Sequence, residues 1–463
     1  MSAALACDCL IVGGGPAGSS LAFLLARAGL RVVLVDDGRA HHSGPYETLL
    51  APTLRLLQRS GLAELVLPHA SVDPLRHGAI WGSDAIAWRD DAGPGWLLHR
   101  GAFDAALRRA AGAAGVEVRS RARVKATLRG ELELSTALGT ERVLARCVVL
   151  ATGRSSAPPL PRELVRADPS TMALTLVGEP HPADRGTAIV EAVPTGWIWT
   201  HAPNTGPASA AVLLDRAAVT ADGASVALQA ALAAAQGPAA RLRGATVRHA
   251  TDATARSFRA LGDHLLIGDA AACIDPMASQ GVEKALAAAD HAAAVVATAV
   301  RVPQWWERLR NAHAQWEALL FAGHSTTAAQ WYGREARFPD AAFWRQRRPT
   351  AALDAAPVSW DAPLIRSPQL AAQLVLVREG TSFVERAGVS HAATGEELSH
   401  VGYVSVQPLL DLFVAPSTLR RAVAAAGNDA RLHVLSPHAV HTGLRALINR
   451  DWLIAAANAA GSP

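Results

Sequence analysis

The chain has 463 residues, of which half are hydrophobic and 18% are charged. This composition excludes an intrinsically disordered chain, and the length predicts two or three domains. A formal net charge of +4 is small for a chain this long and makes no basic patch by itself, so we expect no nucleic-acid partner.

The cysteines and the apolar segments indicate the cellular compartment of the protein. Cys7, Cys9, Cys147 and Cys273 show no metal-ligand spacing with histidines, so we expect buried free thiols and no metal site. The first predicted strand begins within a few residues of Met1, which leaves no room for a signal peptide. The most apolar helix, over 285–300, contains Asp290 and His291 and is predicted to be buried rather than to span a membrane. These features predict a cytoplasmic protein in a reducing compartment.

The first 40 residues have the pattern of a dinucleotide-binding βαβ unit. An apolar strand runs into Gly13-Gly-Gly15-Pro-Ala-Gly18 and then into a helical pattern. In such a turn the first glycine makes the tight turn, the second lets a pyrophosphate approach the backbone, and the third allows close packing of the helix on the strand. A second apolar strand, 31–35, ends at Asp36, at the distance where an acidic side chain binds a ribose hydroxyl.

The pattern changes twice before residue 260. Residues 41–115 are predicted to form helical and loop segments, and a buried strand then ends in the small-residue turn Ala151-Thr152-Gly153. From about 155 to 260 the alternation of apolar and polar residues predicts strands of an antiparallel sheet, inserted between two parts of the nucleotide-binding domain.

Residues 268–286 return to that domain. A predicted strand ends at Gly268-Asp269, a turn follows at Asp275-Pro276, and Gln280-Gly281 begins an alanine-rich helix. This segment offers a polar ligand the carboxylate of Asp269 and the free backbone amides of Gly281 and Val282 at a helix N-terminus.

The rest of the chain is predicted to be helical core followed by a small domain. Tryptophans recur at helical spacing over 303–347, and a proline-rich boundary precedes 369–463. Two helices around Gly427-Asn428 and a short strand suggest a winged-helix-like module. DNA reading would need a basic helix, and 436–449 carries Arg445 as its one permanent charge, so we favour a partner-docking or structural role. A flavin-binding sensor with a nucleic-acid-binding module remains an alternative of another class.

The sequence thus predicts an α/β fold with a Rossmann-like nucleotide-binding domain at 1–155 and 261–302. An inserted, mostly antiparallel substrate sheet occupies 156–260, a helical connection 303–348, and a small C-terminal domain 369–463.

The three turns, in this order, resemble the flavoprotein monooxygenase superfamily, which includes p-hydroxybenzoate hydroxylase, flavin-dependent halogenases and geranylgeranyl reductases. The resemblance covers roughly residues 5–345 and implies bound FAD. It implies that the Gly13 turn binds the pyrophosphate, Asp36 the adenosine ribose and Asp269 the ribityl chain. It gives as FAD-binding residues Gly13, Gly15, Pro16, Ala17, Gly18, Asp36, Glu47, Thr48, Arg100, Ala151, Thr152, Gly153, Gly268, Asp269, Pro276, Gln280, Gly281 and Val282.

Two further stretches resemble one branch of that superfamily. Gly44-Pro-Tyr-Glu47-Thr48-Leu-Leu-Ala-Pro52 is similar to a loop of halogenases and geranylgeranyl reductases that lies near the flavin. The segment from Trp197 and Trp199 to Pro203 resembles a halogenase segment between flavin and substrate. Alternate tryptophans on a strand also pack one face of a sheet, and this structural interpretation stays open.

Halogenation itself is disfavoured by the positions of the two lysines. The resembling halogenases direct hypohalous acid with a lysine beyond the Glu47 loop, but residues 53–100 contain none, and the chain has only Lys125 and Lys284. Ser279-Gln280-Gly281 also replaces the residues that those enzymes place around chloride. The resemblance therefore implies hydroxylation of an electron-rich aromatic ring through a flavin C4a-hydroperoxide, with dioxygen as co-substrate.

The end of the Gln280 segment and the extra C-terminal region reduce the number of candidate substrates. They look most like flavoproteins that build tryptophylquinone cofactors, such as the one for quinohemoprotein amine dehydrogenase, which implies a tryptophan side chain of a partner polypeptide. A small free aromatic molecule, halogenation and geranylgeranyl-type reduction remain alternatives. The reductant is NAD(P)H or a reduced-flavin or electron-transfer partner. Glu47, Glu191, His201, Trp197 and Trp199 are the candidates for acting on the substrate.

Overall fold

The computed structural model describes residues 4–39, 46–89, 95–126, 132–137, 139–155, 157–242, 247–278, 280–349, 359–402 and 404–457. They form two compact units. Unit 1 comprises Met1–Pro303 and Trp316–Pro349, and unit 2 comprises Gln304–Gln315 and Thr350–Pro463. The architecture is a mixed α/β fold.

The strands of unit 1 are β1 (Leu5–Val12), β2 (Val32–Asp36), β3 (Tyr46–Leu49), β4 (Ser71–Ile80), β5 (Ala87–Trp88), β6 (Gly95–His99), β7 (Glu117–Ser120), β8 (Arg123–Ala126), β9 (Leu132–Thr136), β10 (Gly139–Leu150), β11 (Arg162–Ala167), β12 (Thr171–Gly178), β13 (Thr187–Val193), β14 (Gly196–Ala202), β15 (Ala208–Asp215), β16 (His249–Asp252), β17 (Arg256–Ala260), β18 (Leu265–Leu266) and β19 (Ala272–Cys273). Its helices are α1 (Pro16–Arg27), α2 (Ala51–Ser60), α3 (Ala63–Ala70), α4 (Arg100–Ala113), α5 (Arg216–Asp222), α6 (Ala224–Ala234), α7 (Gly281–Arg301), α8 (Trp306–Arg334), whose first ten residues belong to unit 2, and α9 (Ala342–Arg347).

The first sheet has the strand order β7-β2-β1-β10-β9-β8, with β18 beside β10. Strands β7, β2, β1, β10 and β18 pair in parallel. All five residues of β2 and the last four of β1 are buried, as expected for parallel strands covered on both faces. Helices α1 and α7 pack against each other. The carboxyl ends of β1, β10 and β18 therefore meet at one edge, where all three predicted turns follow.

The second sheet has the order β16-β12-β15-β14-β13-β4-β6-β3, with β5 beside β4. Its strands from 171–252 are antiparallel, as predicted. Helices α2 to α4 lie within 41–115, where helical and loop segments were predicted, but β3 to β6 also lie there and join this sheet, with β4 parallel to β13. Strand β4 connects this group to the rest of the sheet, as in His77 opposite Ala188, and local periodicity gave no sign of that long-range pairing. A smaller sheet has the order β11-β17-β19.

Unit 2 contains β20 (Leu364–Arg366), β21 (Leu370–Glu379), β22 (Ser382–His391), β23 (Glu397–Leu398), β24 (His400–Val401), β25 (Val404–Ser405), α10 (Val406–Asp411), α11 (Leu419–Ala426), α12 (Pro437–Ile448) and β26 (Leu453–Ala455). Its core includes the buried Phe413, Leu444 and Trp452. Helices α11 and α12 lie where the sequence predicts them. The long hairpin of β21 and β22 precedes them and was not predicted.

Among the described residues, no single helix combines the length and apolar character that crossing a membrane requires. The short helices α5 and α6 meet that criterion as a pair, with a bend of 114° between them.

A buried ion pair links α7 to α8 within unit 1. The Lys284 ammonium lies 3.0 Å from a Glu317 carboxylate oxygen and donates to the Gly268 carbonyl oxygen at 2.8 Å. The Lys284 side chain is fully buried and that of Glu317 nearly so. The lysine therefore anchors the backbone immediately before Asp269.

Lys284→Met tests this anchor. The substitution leaves the buried Glu317 carboxylate without its cation, and we expect a loss of about 3–5 kcal/mol in the free energy of unfolding. Lys284→Met combined with Glu317→Leu removes both charges and should recover most of that loss. The measurement is urea unfolding followed by circular dichroism. Equal losses in the single and double variants would contradict the pairing.

Candidate functional site

The Gly13 turn is tight at two glycines and open at the third. Gly13 has a φ of +115°, and a Cβ there would lie 2.2 Å from the Ala151 carbonyl oxygen. A Cβ on Gly18 would lie 1.9 Å from the Gly13 carbonyl oxygen, whereas one on Gly15 would meet nothing within 4 Å. Helix α1 begins at Pro16 without a side-chain cap. The turn therefore presents free amides and open space to a ligand.

The buried carboxylate of Asp36 lies beside this turn. It accepts hydrogen bonds from the Gly14 amide at 3.1 Å and from the Gly38 amide at 3.0 Å. On the other side of the turn, the Ala151 amide donates to the Val12 carbonyl oxygen. The next residue, Thr152, has a buried hydroxyl without a hydrogen-bond partner in the part of the chain that the structure describes.

Strand pairing brings Glu47 and Arg100 together. Glu47 lies opposite Leu98 in the β3–β6 pair, and Arg100 begins α4 directly after β6. The Arg100 guanidinium lies 3.3 Å from Glu47 and 3.4 Å from Asp104. Burial raises the pKa of Glu47, and the positive charge of Arg100 opposes that shift. Residues 44 and 45 of the predicted loop lie outside the described residues.

Asp269 has an arginine partner that the sequence analysis missed. Gly268, with a φ of +61°, turns the chain after β18, and Asp269 follows. The Arg154 Nε donates to an Asp269 carboxylate oxygen at 3.0 Å, and its Nη1 donates to the Asp252 carbonyl oxygen. Arg154 follows the Ala151-Thr152-Gly153 turn, so this ion pair connects the second and third predicted turns.

Helix α7 presents an open N-terminus. Gln280 is its N-cap and makes no side-chain capping hydrogen bond, and a Cβ on Gly281 would meet nothing within 4 Å. Val282 is buried. Pro276 begins the short 3-10 turn Pro276–Ala278 that precedes the helix. Ser279 lies outside the described residues.

The candidates on β14 lie on one face of the second sheet. Trp197 is 1% exposed, belongs to an aromatic core with Tyr332 and Trp344, and donates its indole N–H to the Tyr332 hydroxyl. This is the structural packing left open above. Trp199 is half-buried and packs with its ring centroid 4.5 Å from that of His201.

His201 connects this face to the Glu47 segment. Its Nε2 lies 3.2 Å from the Thr48 hydroxyl oxygen, and burial lowers the pKa of His201 to about 3. The imidazole is therefore neutral near pH 7. Glu191, in contrast, accepts hydrogen bonds from the Gln236 and Gly237 amides and has a structural role.

A cavity of about 660 Å³ lies next to Asp269. Its lining includes Arg154, Arg162, Arg256, Phe258 and Cys273. Arg162 donates to the carbonyl oxygens of Ser155 and Ala270 rather than to a carboxylate, and it stacks over the Phe258 ring. Asp269 and Asp252, which also line the cavity, pair with Arg154 and Arg256, so Arg162 supplies its net positive charge.

Residues 6–302 match the family model described as FAD binding domain. The chain belongs to this family. It is an FAD-binding flavoprotein of the monooxygenase superfamily, and hence an FAD-dependent oxidoreductase.

The individual relatives described here include halogenases and a peptidyl tryptophan dihydroxylase. The chain is 26% identical to a tryptophan 2-halogenase of Chondromyces crocatus over 363 residues, which are 68% of this chain and 66% of that protein, slightly under two thirds. It resembles the structure of the peptidyl tryptophan dihydroxylase QhpG, essential for tryptophylquinone cofactor biogenesis, with a TM-score of 0.69 and 25% identity, over 96% of this chain and 98% of that one. CmlS, a flavin-dependent halogenase, shares the fold with a TM-score of 0.73 at 19% identity, over 96% and 95% of the two chains.

The described residues fit FAD. The open space at Gly15, the uncapped α1 N-terminus and the unpartnered Thr152 hydroxyl form a cradle suited to a phosphate. The Arg108 guanidinium, which sequence reasoning missed, donates to the Gly14 carbonyl oxygen and adds positive charge. Arg108 lies eight residues beyond Arg100 in α4, on a helix whose orientation the sequence did not give.

The His201 pKa predicts a pH dependence of stability. The folded pKa of about 3 lies below the ordinary value of 6.5, so protonation favours the unfolded chain, and stability is lost as the pH falls below about 6.5. When the pH is lowered from about 7.5 to about 5.5, the free energy of unfolding of the wild type should fall by about 1.4 kcal/mol more than that of His201→Gln. Urea unfolding at both pH values measures this difference, and parallel losses in the two proteins would refute it.

Proposed function

We propose that this protein is a monooxygenase that hydroxylates the indole ring of a tryptophan side chain in a partner polypeptide, as a step in tryptophylquinone biogenesis. The observation that carries the proposal is the likeness to QhpG over nearly the full length of both chains at 25% identity. That likeness extends beyond residue 302, where the family match ends. The likeness to CmlS, at 19% identity, supports the fold alone.

The lysines favour oxygenation over halogenation. Lys284 is committed to Glu317 and to the Gly268 carbonyl oxygen. Lys125 is exposed on β8, a strand at the edge of the first sheet. The chain has no other lysine to direct hypohalous acid. Halogenation remains the second candidate because of the match to the tryptophan 2-halogenase.

We assign the FAD contacts to the three turns. The Gly13 turn and Thr152 would hold the pyrophosphate, Asp36 the adenosine ribose, and Asp269 the ribityl chain. The α7 N-terminus, at Gly281 and Val282, would face the pyrimidine end of the ring, where partial positive charge favours a negative one. Bound FAD, once reduced, supplies the electrons with which dioxygen is activated.

The protein's own groups orient the indole and accept its proton. Hydroxylation places one oxygen atom of dioxygen on a ring carbon and releases the proton of that carbon, while the second oxygen atom leaves as water. Glu47 fits the role of proton acceptor better than His201. Burial raises the pKa of Glu47, although Arg100 opposes the shift, whereas burial lowers the pKa of His201 to about 3 and makes it a weak base. Trp199 and His201 would then pack against the indole.

For the reductant we favour NAD(P)H over a reduced-flavin or electron-transfer partner. The cavity beside Asp269 is lined by three arginines and two aspartates, and Arg162, which bonds to carbonyl oxygens, supplies its net positive charge. Such a cavity attracts the phosphates of a dinucleotide. Its volume of about 660 Å³ lies within the range of ligand pockets.

Gly15→Ala tests the position of FAD. The added Cβ meets no protein atom within 4 Å, so the protein should fold normally, but the methyl group would lie where the pyrophosphate approaches. We expect the FAD dissociation constant to rise by at least about tenfold, since inserted carbon atoms in close-packed sites cost about 1–3 kcal/mol. Fluorescence titration of the apoprotein measures it. Gly323→Ala in α8, also without a neighbour within 4 Å, is the control. Unchanged affinity in Gly15→Ala would show that FAD binds elsewhere.

The reaction is tested with the FAD-loaded protein, dioxygen and the tryptophan-containing subunit of a quinohemoprotein amine dehydrogenase. We expect mass spectrometry to show a gain of one or two oxygen atoms on a tryptophan of that subunit, and none on free L-tryptophan. NADH, NADPH and dithionite, supplied in separate reactions, identify the reductant. Glu47→Gln should lower the yield by at least about a hundredfold, the usual contribution of a general base.

Three results would redirect the proposal. Oxygen on free tryptophan alone would favour the small-molecule hydroxylase. Chlorine or bromine on the product, with halide present, would favour the halogenase. Turnover with dithionite but with neither nucleotide would favour a separate electron-transfer partner.

A further inference from the structure

A chain of hydrogen bonds joins the second sheet to the loop before α7. The indole N–H of Trp197 in β14 donates to the Tyr332 hydroxyl oxygen at 3.3 Å. The Tyr332 hydroxyl in turn donates to one Asp275 carboxylate oxygen at 2.9 Å. The other Asp275 oxygen accepts from the Met277 amide at 2.9 Å. Three segments that are far apart in the sequence thus share one tyrosine hydroxyl.

Because the Tyr332 hydroxyl is buried, the loss of one of its hydrogen bonds would not be compensated by solvent. Trp197 and Tyr332 are nearly inaccessible to solvent, so water cannot replace a lost partner. Burial raises the pKa of Tyr332 well above its ordinary value, which keeps the hydroxyl protonated as a donor. Burial also raises the pKa of Asp275, and the hydrogen bonds from Met277 and Tyr332 oppose that shift. Loss of the tyrosine hydroxyl would leave the partly buried Asp275 carboxylate with one of these two donors.

Asp275 lies in the segment that leads into helix α7. It directly precedes the Pro276–Ala278 turn, and α7 begins at Gly281. The proline has a fixed φ, so the position of Asp275 limits the path that the backbone takes to the helix. At the other end of the hydrogen-bond chain, β14 carries Trp199 and His201 two and four residues beyond Trp197.

We propose that Tyr332 is a positioning residue of the flavin site, and that its hydroxyl fixes Asp275 and thereby the α7 N-terminus. The same hydroxyl holds the strand that carries Trp199 and His201 in register with that terminus. This inference rests on the proposed position of FAD. It concerns no substrate, so it can fail or hold independently of tryptophan hydroxylation.

Tyr332→Phe is the test, because it removes the hydroxyl and retains the ring. Couplings between connected sites commonly change affinity by about five- to 150-fold, and we expect FAD binding to weaken within that range. The absorption maxima of the bound flavin should shift as well. Trp344→Phe is the matched control. Trp344 lies in the same aromatic core but donates its N–H to the Val193 carbonyl oxygen, so it should lower the unfolding temperature and leave FAD affinity within about twofold.

Asp275→Asn provides a second route if Tyr332→Phe does not fold. The asparagine offers one carbonyl oxygen to two donors, so we expect the same weakening of FAD binding and the same spectral shift. The double variant should weaken FAD binding no further than either single change, because both act through one hydrogen bond. Tyr332→Phe with unchanged FAD affinity and an unchanged flavin spectrum would overturn the inference. Equal changes in Trp344→Phe would overturn it too, since they would indicate a general effect of core packing.

Discussion

The close approach of the Gly13 turn to the Ala151 carbonyl oxygen is the constraint on which the site depends. No side chain fits between them, and none fits between Gly18 and the Gly13 carbonyl oxygen. Helix α1 can therefore lie close to β1 and β10, and its N-terminal amides point into the space at Gly15. Because β18 pairs with β10, the same edge of the sheet also receives Gly268 and Asp269. The glycine packing and the β18–β10 pairing together bring the three predicted turns to one edge of the sheet.

Charge pairs between distant segments complete the arrangement. Glu47 with Arg100 joins β3 to α4, and Arg154 with Asp269 joins the second turn to the third. Lys284 with Glu317 fixes the backbone before Asp269, and Tyr332 fixes the loop after it. For Lys284 with Glu317, a removed partner would leave a charge in a site of low solvent access. The site is therefore held by electrostatics on a frame that glycine packing creates.

The parts of the site that were visible in the sequence are those with local patterns. The three turns follow apolar strands, so the residue types at Gly13, Ala151 and Gly268 and their spacing predicted the nucleotide-type sheet. The FAD-binding family was implied by the resemblance of these turns to the flavoprotein monooxygenase superfamily. The second sheet was predicted in part, because β4 joins it by pairing with β13, as in His77 opposite Ala188, and β3, β5 and β6 join it through β4 or through one another. Local periodicity does not indicate that long-range pairing.

Arg108, Arg154 and Tyr332 were missed for a related reason. Their partners, Gly14, Asp269 and Asp275, lie 94, 115 and 57 positions away, and a single sequence does not pair such residues. Trp197, in contrast, was a candidate for the substrate site in the sequence. Its segment resembles a halogenase segment between flavin and substrate, and packing on a sheet face was the open alternative; the fold places it in an aromatic core.

The central claim is that an oxygen atom from dioxygen enters a tryptophan side chain within a polypeptide. Turnover under isotopically labelled dioxygen, followed by mass spectrometry of proteolytic fragments, tests it most directly. We predict labelled oxygen on the indole ring of one tryptophan of the partner polypeptide. Unlabelled oxygen, derived from water, or a polypeptide that leaves the reaction unmodified while free aromatic molecules are oxidised, would contradict it.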